Sequence, residues 1–447
     1  MNYASLDLLS NKLDVWIRKK QNEIFIIDGP SQIGKTTFIK NFVQYHSFRY
    51  LYIDLKINKE IIEKILNDTY LTPENFYSSL CFYFGKTVPP YLTTLIFDGI
   101  EYCPSLRQFF KTLVNHKQIN IIAITCGGLG SSHYKNLLVP SEENVNHLFP
   151  MTFEEFMAVL GQGSLNAHLS SAISNQKPIS AFLSSEIFKT YKLYNLIGGY
   201  PSVVNHFISA NDRVGCISMN QKILADQFLH ASELLNDDDK KIMNEIHKNI
   251  YLIVNSGLYS SLQTVSIYKM KQLLSFLEDE YVITMPTALD MENPSKQSSS
   301  KRLYFFHQCF YHAAKNFFKY DEYFENSFPT ECEVLSDFFF NQRCNSKPYQ
   351  YGIFRQGKYI ETDALLSSNM RIYNVEFKSK RLSKDYNVNI FKRTNGSVEP
   401  GILLFNGNVF EYGDVTVLPS YCSCFLNTYI DGLVKKTNNQ SVPQNII

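Results

Sequence analysis

The sequence predicts an α/β protein whose N-terminal part is a three-layer parallel sheet, and three observations lead there. Apolar runs at Ile24–Ile27, Tyr50–Leu55, Leu95–Asp98 and Ile119–Thr125 alternate with helical patterns over Glu23–Cys126, the order in which strands pair in parallel and helices cover both faces. Between the first run and the helical pattern Thr37–Tyr45 stands Gly29-Pro30-Ser31-Gln32-Ile33-Gly34-Lys35-Thr36, which has the form G-x-x-x-x-G-K-[ST]. The chain of 447 residues is also too long for one core, and usual domain sizes suggest about three units.

The first strand and the loop after it form a phosphate site by the order of their parts. The strand delivers a loop whose backbone N–H groups wrap phosphates, and the following helix adds the positive end of its dipole. Lys35 then reaches the β- and γ-phosphates, and Thr36 binds Mg²⁺. Asp98, at the carboxyl end of a buried strand, is the second Mg²⁺ candidate. Alone it reads equally well as a helix cap or turn residue. Thr125, at the end of the next strand, is the candidate for the polar sensor that ATPases of this layout place near the γ-phosphate.

Composition bounds the rest. Charged residues make up 19% and hydrophobic residues 45%, a globular balance. The net charge of +1 carries no polyelectrolyte signature, so any nucleic-acid contact is local. Nine cysteines are scattered, and Cys422 with Cys424 fits neither a zinc ribbon nor a disulfide framework. A reducing cytoplasm is the simplest home for them. Met1–Lys20 lacks the uninterrupted apolar run of a signal peptide, and no segment reaches the roughly 18 apolar residues of a membrane span. The expectation is a cytoplasmic protein without membrane contact.

In the middle of the chain, Leu165–His230 reads as helical with one break at Gly198-Gly199-Tyr200-Pro201, which suits a helical lid. Asp237-Asp238-Asp239 signals the start of the helix Lys240–Ile250. A short helix near Ser260, a helix over Ser266–Glu280 and a hairpin of Tyr281–Pro286 with Lys301–Phe306 complete the layout of a winged helix. Met291–Ser300 is then the wing tip or a loose loop. Lys269 and Lys271 on the second helix, with Lys301 and Arg302 at the wing, are the candidate DNA contacts. The plainer reading of two lysines on a helix is a solvated face.

Near the C-terminus, Tyr304–Tyr311 reads as a strand entering a helix, and Glu331–Asn341 as a further helix. Gln350–Arg355, Glu361–Ser367 and Arg371–Phe377 read as three strands. Asp363 and Glu376-Phe377-Lys378 make a D…(D/E)-x-K arrangement. Two carboxylates from adjacent strands converge on a divalent metal, and Lys378 shares the face of Glu376. The metal lowers the pKa of bound water while the lysine steadies the nucleophile.

The series Gly29 to Thr37, Leu95-Ile96-Phe97-Asp98-Gly99-Ile100-Glu101, Phe149-Pro150-Met151-Thr152-Phe153-Glu154-Glu155-Phe156 and Gly198-Gly199-Tyr200-Pro201 resembles a prokaryotic P-loop ATPase family of the AAA+ superfamily. Members of that family carry a winged helix and a C-terminal PD-(D/E)XK nuclease-like domain. The resemblance extends over most of the chain. It implies a P-loop ATPase core over 1–160, a helical lid over 161–235, a winged helix over 236–310 and an α/β nuclease-like domain over 311–447. It also implies ATP and Mg²⁺ as cofactors, held by Gly29 to Thr37 with Asp98 and Thr125. Arg355–Lys380 matches the family's nuclease segment with Glu361, Asp363, Glu376 and Lys378 in place. Glu331 matches its helix glutamate, a third acidic group for a metal.

Two departures bear on turnover. The family's water-polarising glutamate after the strand aspartate is replaced by Gly99, with Glu101 two positions on as the candidate substitute. Ser141–Phe149 holds no arginine or lysine where the family carries an arginine suited to the γ-phosphate. Such losses typically cost factors of about 10² to 10⁴ and 10³ to 10⁵. Gly99→Glu is expected to speed hydrolysis unless the backbone requires a positive φ there. The sequence thus suggests an ATP-binding, slow ATPase with a nuclease-like domain acting on DNA. The alternative is a non-catalytic nucleotide-controlled switch whose C-terminal domain docks a protein partner, and a homo-oligomer is a further expected assembly.

Overall fold

Apolar residues in alternate register fix the first sheet. The computed structural model describes residues 3–19, 23–46, 49–85, 94–115, 119–127, 141–233, 235–256, 265–291, 297–298, 302–315, 328–348, 350–354, 360–368, 371–379, 399–411 and 415–440. Among them β1 (Ile24–Asp28), β2 (Tyr50–Asp54), β3 (Thr94–Asp98), β4 (Asn120–Thr125) and β5 (Glu143–His147) form one sheet in the order β2-β3-β4-β1-β5. All neighbours in it are parallel. Ile24, Ile26, Ile53, Phe97 and Ala123 point to one side, where Ile62, Phe76 and Phe110 of three helices cover them. Phe25 faces the other way and packs on Trp16 of helix Ala4–Lys19 at 5.5 Å. Residues of opposite strand parity therefore feed two helical layers, which is why these runs are apolar throughout.

Strand β2 stops one residue before its apolar run ends. The Asp54 side chain accepts hydrogen bonds from Lys56 N (3.0 Å) and Ile57 N (3.4 Å), so Leu55 opens a helix instead. An N-cap aspartate ends the strand more firmly than the next leucine extends it.

The chain forms two compact units. The first comprises Met1–Pro150, Asp226–Leu235 and Tyr268–Tyr281; the second comprises Met151–Ala225, Asn236–Ile267 and Val282–Ile447. The helical middle has more breaks than its sequence pattern suggests: helices cover Phe153–Val159, Gly163–Ser174, Ala181–Ile197, Pro201–Ala210 and Arg213–Glu233. The break at Gly198-Gly199 has a steric cause. Gly198 has φ +77°, and a Cβ on Gly199 would lie 2.1 Å from the Met151 carbonyl oxygen. Met151 N donates to Gly199 O at 2.8 Å, so the two backbones meet where no side chain fits. Pro201 then starts the next helix.

Helix Asp237–Ser256 runs six residues beyond Ile250, helix Ile267–Asp279 follows, and the short helix near Ser260 lies outside the described residues. The expected hairpin exists as β6 (Ile283–Thr284) paired antiparallel with β9 (Tyr304–Phe305). The segment between them is more than a loose loop. It contributes β7 (Thr287–Asp290) and β8 (Gln297–Ser298) to a larger sheet.

That sheet also holds β10 (Gln350–Phe354), β11 (Ile360–Glu361), β12 (Ala364–Ser368), β13 (Arg371–Lys378), β14 (Glu399–Phe405) and β15 (Val415–Pro419). Its order is β15-β14-β13-β12-β10-β7-β8, with β11 on β10. The run Glu361–Ser367 is broken at Thr362-Asp363, and Asp363 stands in the bend between two strands. Helix Glu331–Cys344, with Val334, Leu335 and Phe338 buried, belongs to the same unit. No described helix is long and apolar enough to cross a membrane.

Candidate functional site

Strand β1 ends on Asp28, and the phosphate loop begins at the carboxyl edge of the sheet beside β4 and β5. A Cβ at Gly29 would lie 2.0 Å from the Leu148 carbonyl oxygen, so only glycine lets the loop leave here. Gly34 has φ +97° and caps helix Lys35–Tyr45 from the left-handed region. Gln32 shares that region at φ +61°. The loop turns back on itself. Lys35, 4% exposed, donates its Nζ to Gly29 O (2.8 Å) and Pro30 O (2.7 Å). Ile33 is buried, Ser31 is half-buried, and Thr37, the third residue of the helix, is exposed. Gln32 Nε2 donates to Asp226 Oδ2.

The two metal candidates of this site meet. Thr36 Oγ1 donates to Asp98 Oδ2 at 2.6 Å, and Tyr52 OH donates to the same oxygen at 2.6 Å. A hydroxyl and a carboxylate from different elements thus converge beside the phosphate loop. This donor pair suits a hard, oxygen-seeking cation such as Mg²⁺. Thr125 is buried at the end of β4 and level with Asp28, and its hydroxyl donates to Gly127 O at 2.5 Å.

Gly99 has φ +84°, and a Cβ there would approach the Tyr102 ring to 3.0 Å. The residue is glycine because the chain turns through the left-handed region directly after Asp98. That turn starts the short helical segment Ile100–Tyr102, which directs Glu101 inward to 6% exposure. Glu101 Oε1 lies 3.3 Å from His230 Nε2, and His230 Nδ1 lies 2.7 Å from Glu280 Oε2. Burial alone would lower the His230 pKa, but Glu101 and Glu280 outweigh it and push it up to about 10. The balance favours the protonated imidazole, set between Glu101 and Glu280. Burial pushes Glu280 up to about 7, the His230 contact notwithstanding.

Two further groups at this edge have no motif in the sequence. Asp28 is buried, accepts from Tyr281 OH (2.5 Å) and Gly127 N (3.2 Å), and lies 3.3 Å from His147 Nδ1. Burial would raise its pKa, but His147 and Tyr281 prevail and hold the carboxyl below its ordinary value. His147 ends β5 and stacks on Phe149 at 5.4 Å. It is the basic side chain within Ser141–Phe149, where a search for arginine or lysine passes over it. Tyr281 and Glu280 follow helix Ile267–Asp279, the candidate DNA-reading helix, whose end belongs with the nucleotide unit.

In the second unit the structure brings Asp363, Glu376 and Lys378 together. Phe377 N donates to Asp363 Oδ2 at 2.9 Å, and Lys378 Nζ lies 3.6 Å from Glu376 Oε2. Burial, followed by the charge of Asp363, pushes Glu376 up to about 8. Glu331, on the first turn of its helix, is raised by burial and then by Asp363. Arg302, expected at the wing, has its guanidinium among these acids. Its Nη1 lies 3.5 Å from Asp363 Oδ1 and its Nη2 3.3 Å from Glu361 Oε2. Lys301 and Arg355–Lys358 lie outside the described residues, as does Lys380. Among the described residues no three His, Cys, Asp or Glu side chains are grouped to hold a metal, and the acids of this cluster are met by Arg302 and Lys378. In this arrangement Asp363 and Glu376, the acids offered to a divalent ion, each lie beside a basic side chain.

Residues 21–157 match the family model described as an AAA domain. Among solved structures, the chain is similar to "Structure of Drosophila ORC bound to DNA" at 11% identity and TM-score 0.28, over 61% of this chain and 84% of that one. It is also similar to the Thermotoga maritima RuvB Holliday junction branch migration motor at 11% identity and TM-score 0.29, over 66% of this chain and 91% of that one. No curated protein matches the sequence. The family match spans less than half of the chain and takes in β1, the phosphate-loop motif and β3 with Asp98.

Proposed function

We propose that this chain is a nucleotide-controlled switch that binds ATP and hydrolyses it slowly. The observation that carries this reading is the contact of Glu101, the acidic side chain that follows Asp98, whose Oε1 lies 3.3 Å from His230 Nε2, a pairing that competes with its use as a base. Gly29 to Thr37 would enclose the phosphates, and Lys35 would exchange its bonds to Gly29 O and Pro30 O for phosphate oxygens. Thr36 with Asp98 would hold Mg²⁺, which when bound would supply charge neutralisation to the phosphates. Orienting the attacking water is the task left unfilled, because Gly99 cannot do it and Glu101 is paired. Without such a group, rates fall by about 10² to 10⁴. The test is ATP turnover by the purified wild type and His230→Gln. The wild type is expected far below the roughly 10 s⁻¹ median of enzymes, and the variant faster. A wild type that turns over many ATP per second contradicts the reading.

The gathering of Asp363, Glu376 and Lys378 supports a second reading for the C-terminal domain, a nuclease-like site acting on DNA. Plasmid nicking by the wild type, with and without ATP, compared with Asp363→Asn and Lys378→Ala, tests it. Cleavage that both substitutions leave unchanged removes the assignment.

A further inference from the structure

Asp363 has both carboxylate oxygens engaged. Oδ2 accepts from Phe377 N at 2.9 Å, and Oδ1 faces Arg302 Nη1 at 3.5 Å. The same nitrogen donates to the Asp363 carbonyl oxygen at 3.3 Å, while Nη2 donates to Glu361 Oε2 at 3.3 Å. The guanidinium is also positioned over the Tyr351 ring, 4.9 Å from its centroid. Three partners of different kinds thus hold one planar cation, which Arg suits better than Lys. Across the cluster, Glu376 is 4% exposed and lies close enough to Asp363 for that charge to act on it.

We infer that Arg302 is the resident cation of the Glu361–Asp363–Glu376 cluster, excluding divalent ions from it, and that removing the guanidinium opens a site for Mg²⁺ or Mn²⁺. Mg²⁺ requires its oxygens at about 2.0–2.1 Å in near-octahedral array, and a guanidinium resting on Asp363 and Glu361 denies it those oxygens. Arg does not deprotonate in proteins, so Arg302 is displaced only by moving. This rests on reading Asp363, Glu376 and Lys378 as one nuclease-like cluster, and assigns that cluster a mask.

Mn²⁺ titration of the nucleotide-free full-length protein, with free Mn²⁺ read by electron paramagnetic resonance, tests the inference. The wild type is expected to show no Mn²⁺ site sensitive to Asp363→Asn. Arg302→Ala is expected to gain one, at least tenfold tighter than any in the wild type, and the double variant R302A/D363N to lose it. Arg302→Met, which keeps an unbranched stem without the charge, serves the same comparison if the alanine variant melts early. A wild-type site lost in D363N and no tighter in R302A or R302M overturns the inference, as does a folded variant with no gain. Plasmid nicking by R302A is scored separately. Mn²⁺ gained without nicking sinks the nuclease reading and leaves the mask standing.

Discussion

Tyr281 donates its hydroxyl to Asp28 across 2.5 Å, although 253 residues separate the two. Asp28 is the residue from which the phosphate loop departs, and Tyr281 follows the helix Ile267–Asp279. Tyr281 holds φ +60°, a backbone state that costs a non-glycine residue on the order of 1 to 3 kcal/mol unless its surroundings enforce it. Beside it, Glu280 binds the His230 that binds Glu101. The end of this helix thus touches both the start of the phosphate loop and the acid beside Asp98.

Tyr281→Phe removes one charge-assisted hydrogen bond from a buried carboxylate. Such bonds contribute about 1.5 to 3 kcal/mol, so the variant is expected to melt earlier than the wild type in thermal-shift measurements and to lose part of the stabilisation that ATP confers. An unchanged melting temperature with and without ATP would show that the Asp28 contact carries nothing.

Gly99→Glu is expected to damage the core and not to speed hydrolysis. Its φ of +84° and the Tyr102 ring 3.0 Å from an added Cβ oppose any side chain, at a cost on the order of 1 to 3 kcal/mol. Circular-dichroism melts with ATPase assays decide it. A stable, faster G99E protein means that the turn relaxes and the acid reaches water.

How far the sequence reveals this site depends on whether the information is local. The phosphate loop, Asp98 and the alternating strands are legible because each is one segment whose chemistry and spacing are written consecutively. The Thr36–Asp98 meeting follows from that strand order. The partners of Asp28 and Glu101 are not legible, since Tyr281, His230 and Glu280 lie more than a hundred positions away and carry no motif. Arg302 misleads for a related reason: beside Lys301 it reads as a basic wing, and only the pairing of β6 with β9 and of β7 with β10 sets it near Asp363. Gly99 reads as a lost acid in the linear pattern, whereas its φ shows a turn that only glycine makes easily.

His230 links stability to pH. Its folded pKa of about 10 lies above the unfolded value of about 6.5, so its contribution is complete below pH 6.5 and lost as pH rises toward 10. Thermal melts from pH 6.5 to 10 are expected to show the wild type losing stability over that window, with His230→Gln less stable at the acidic end and flatter across it. Parallel curves for the two proteins contradict the imidazolium assignment.

The most direct test of the central claim is calorimetric titration of Mg²⁺·ATP into the wild type and Lys35→Ala. Lys35 is the cationic side chain of the phosphate loop, and losing a charge-assisted contact costs on the order of 2 to 3 kcal/mol, tens- to hundreds-fold in affinity. The account predicts saturable binding of one ATP per chain by the wild type and binding weakened by that factor in the variant. Equal affinities, or no binding by the wild type, contradict it.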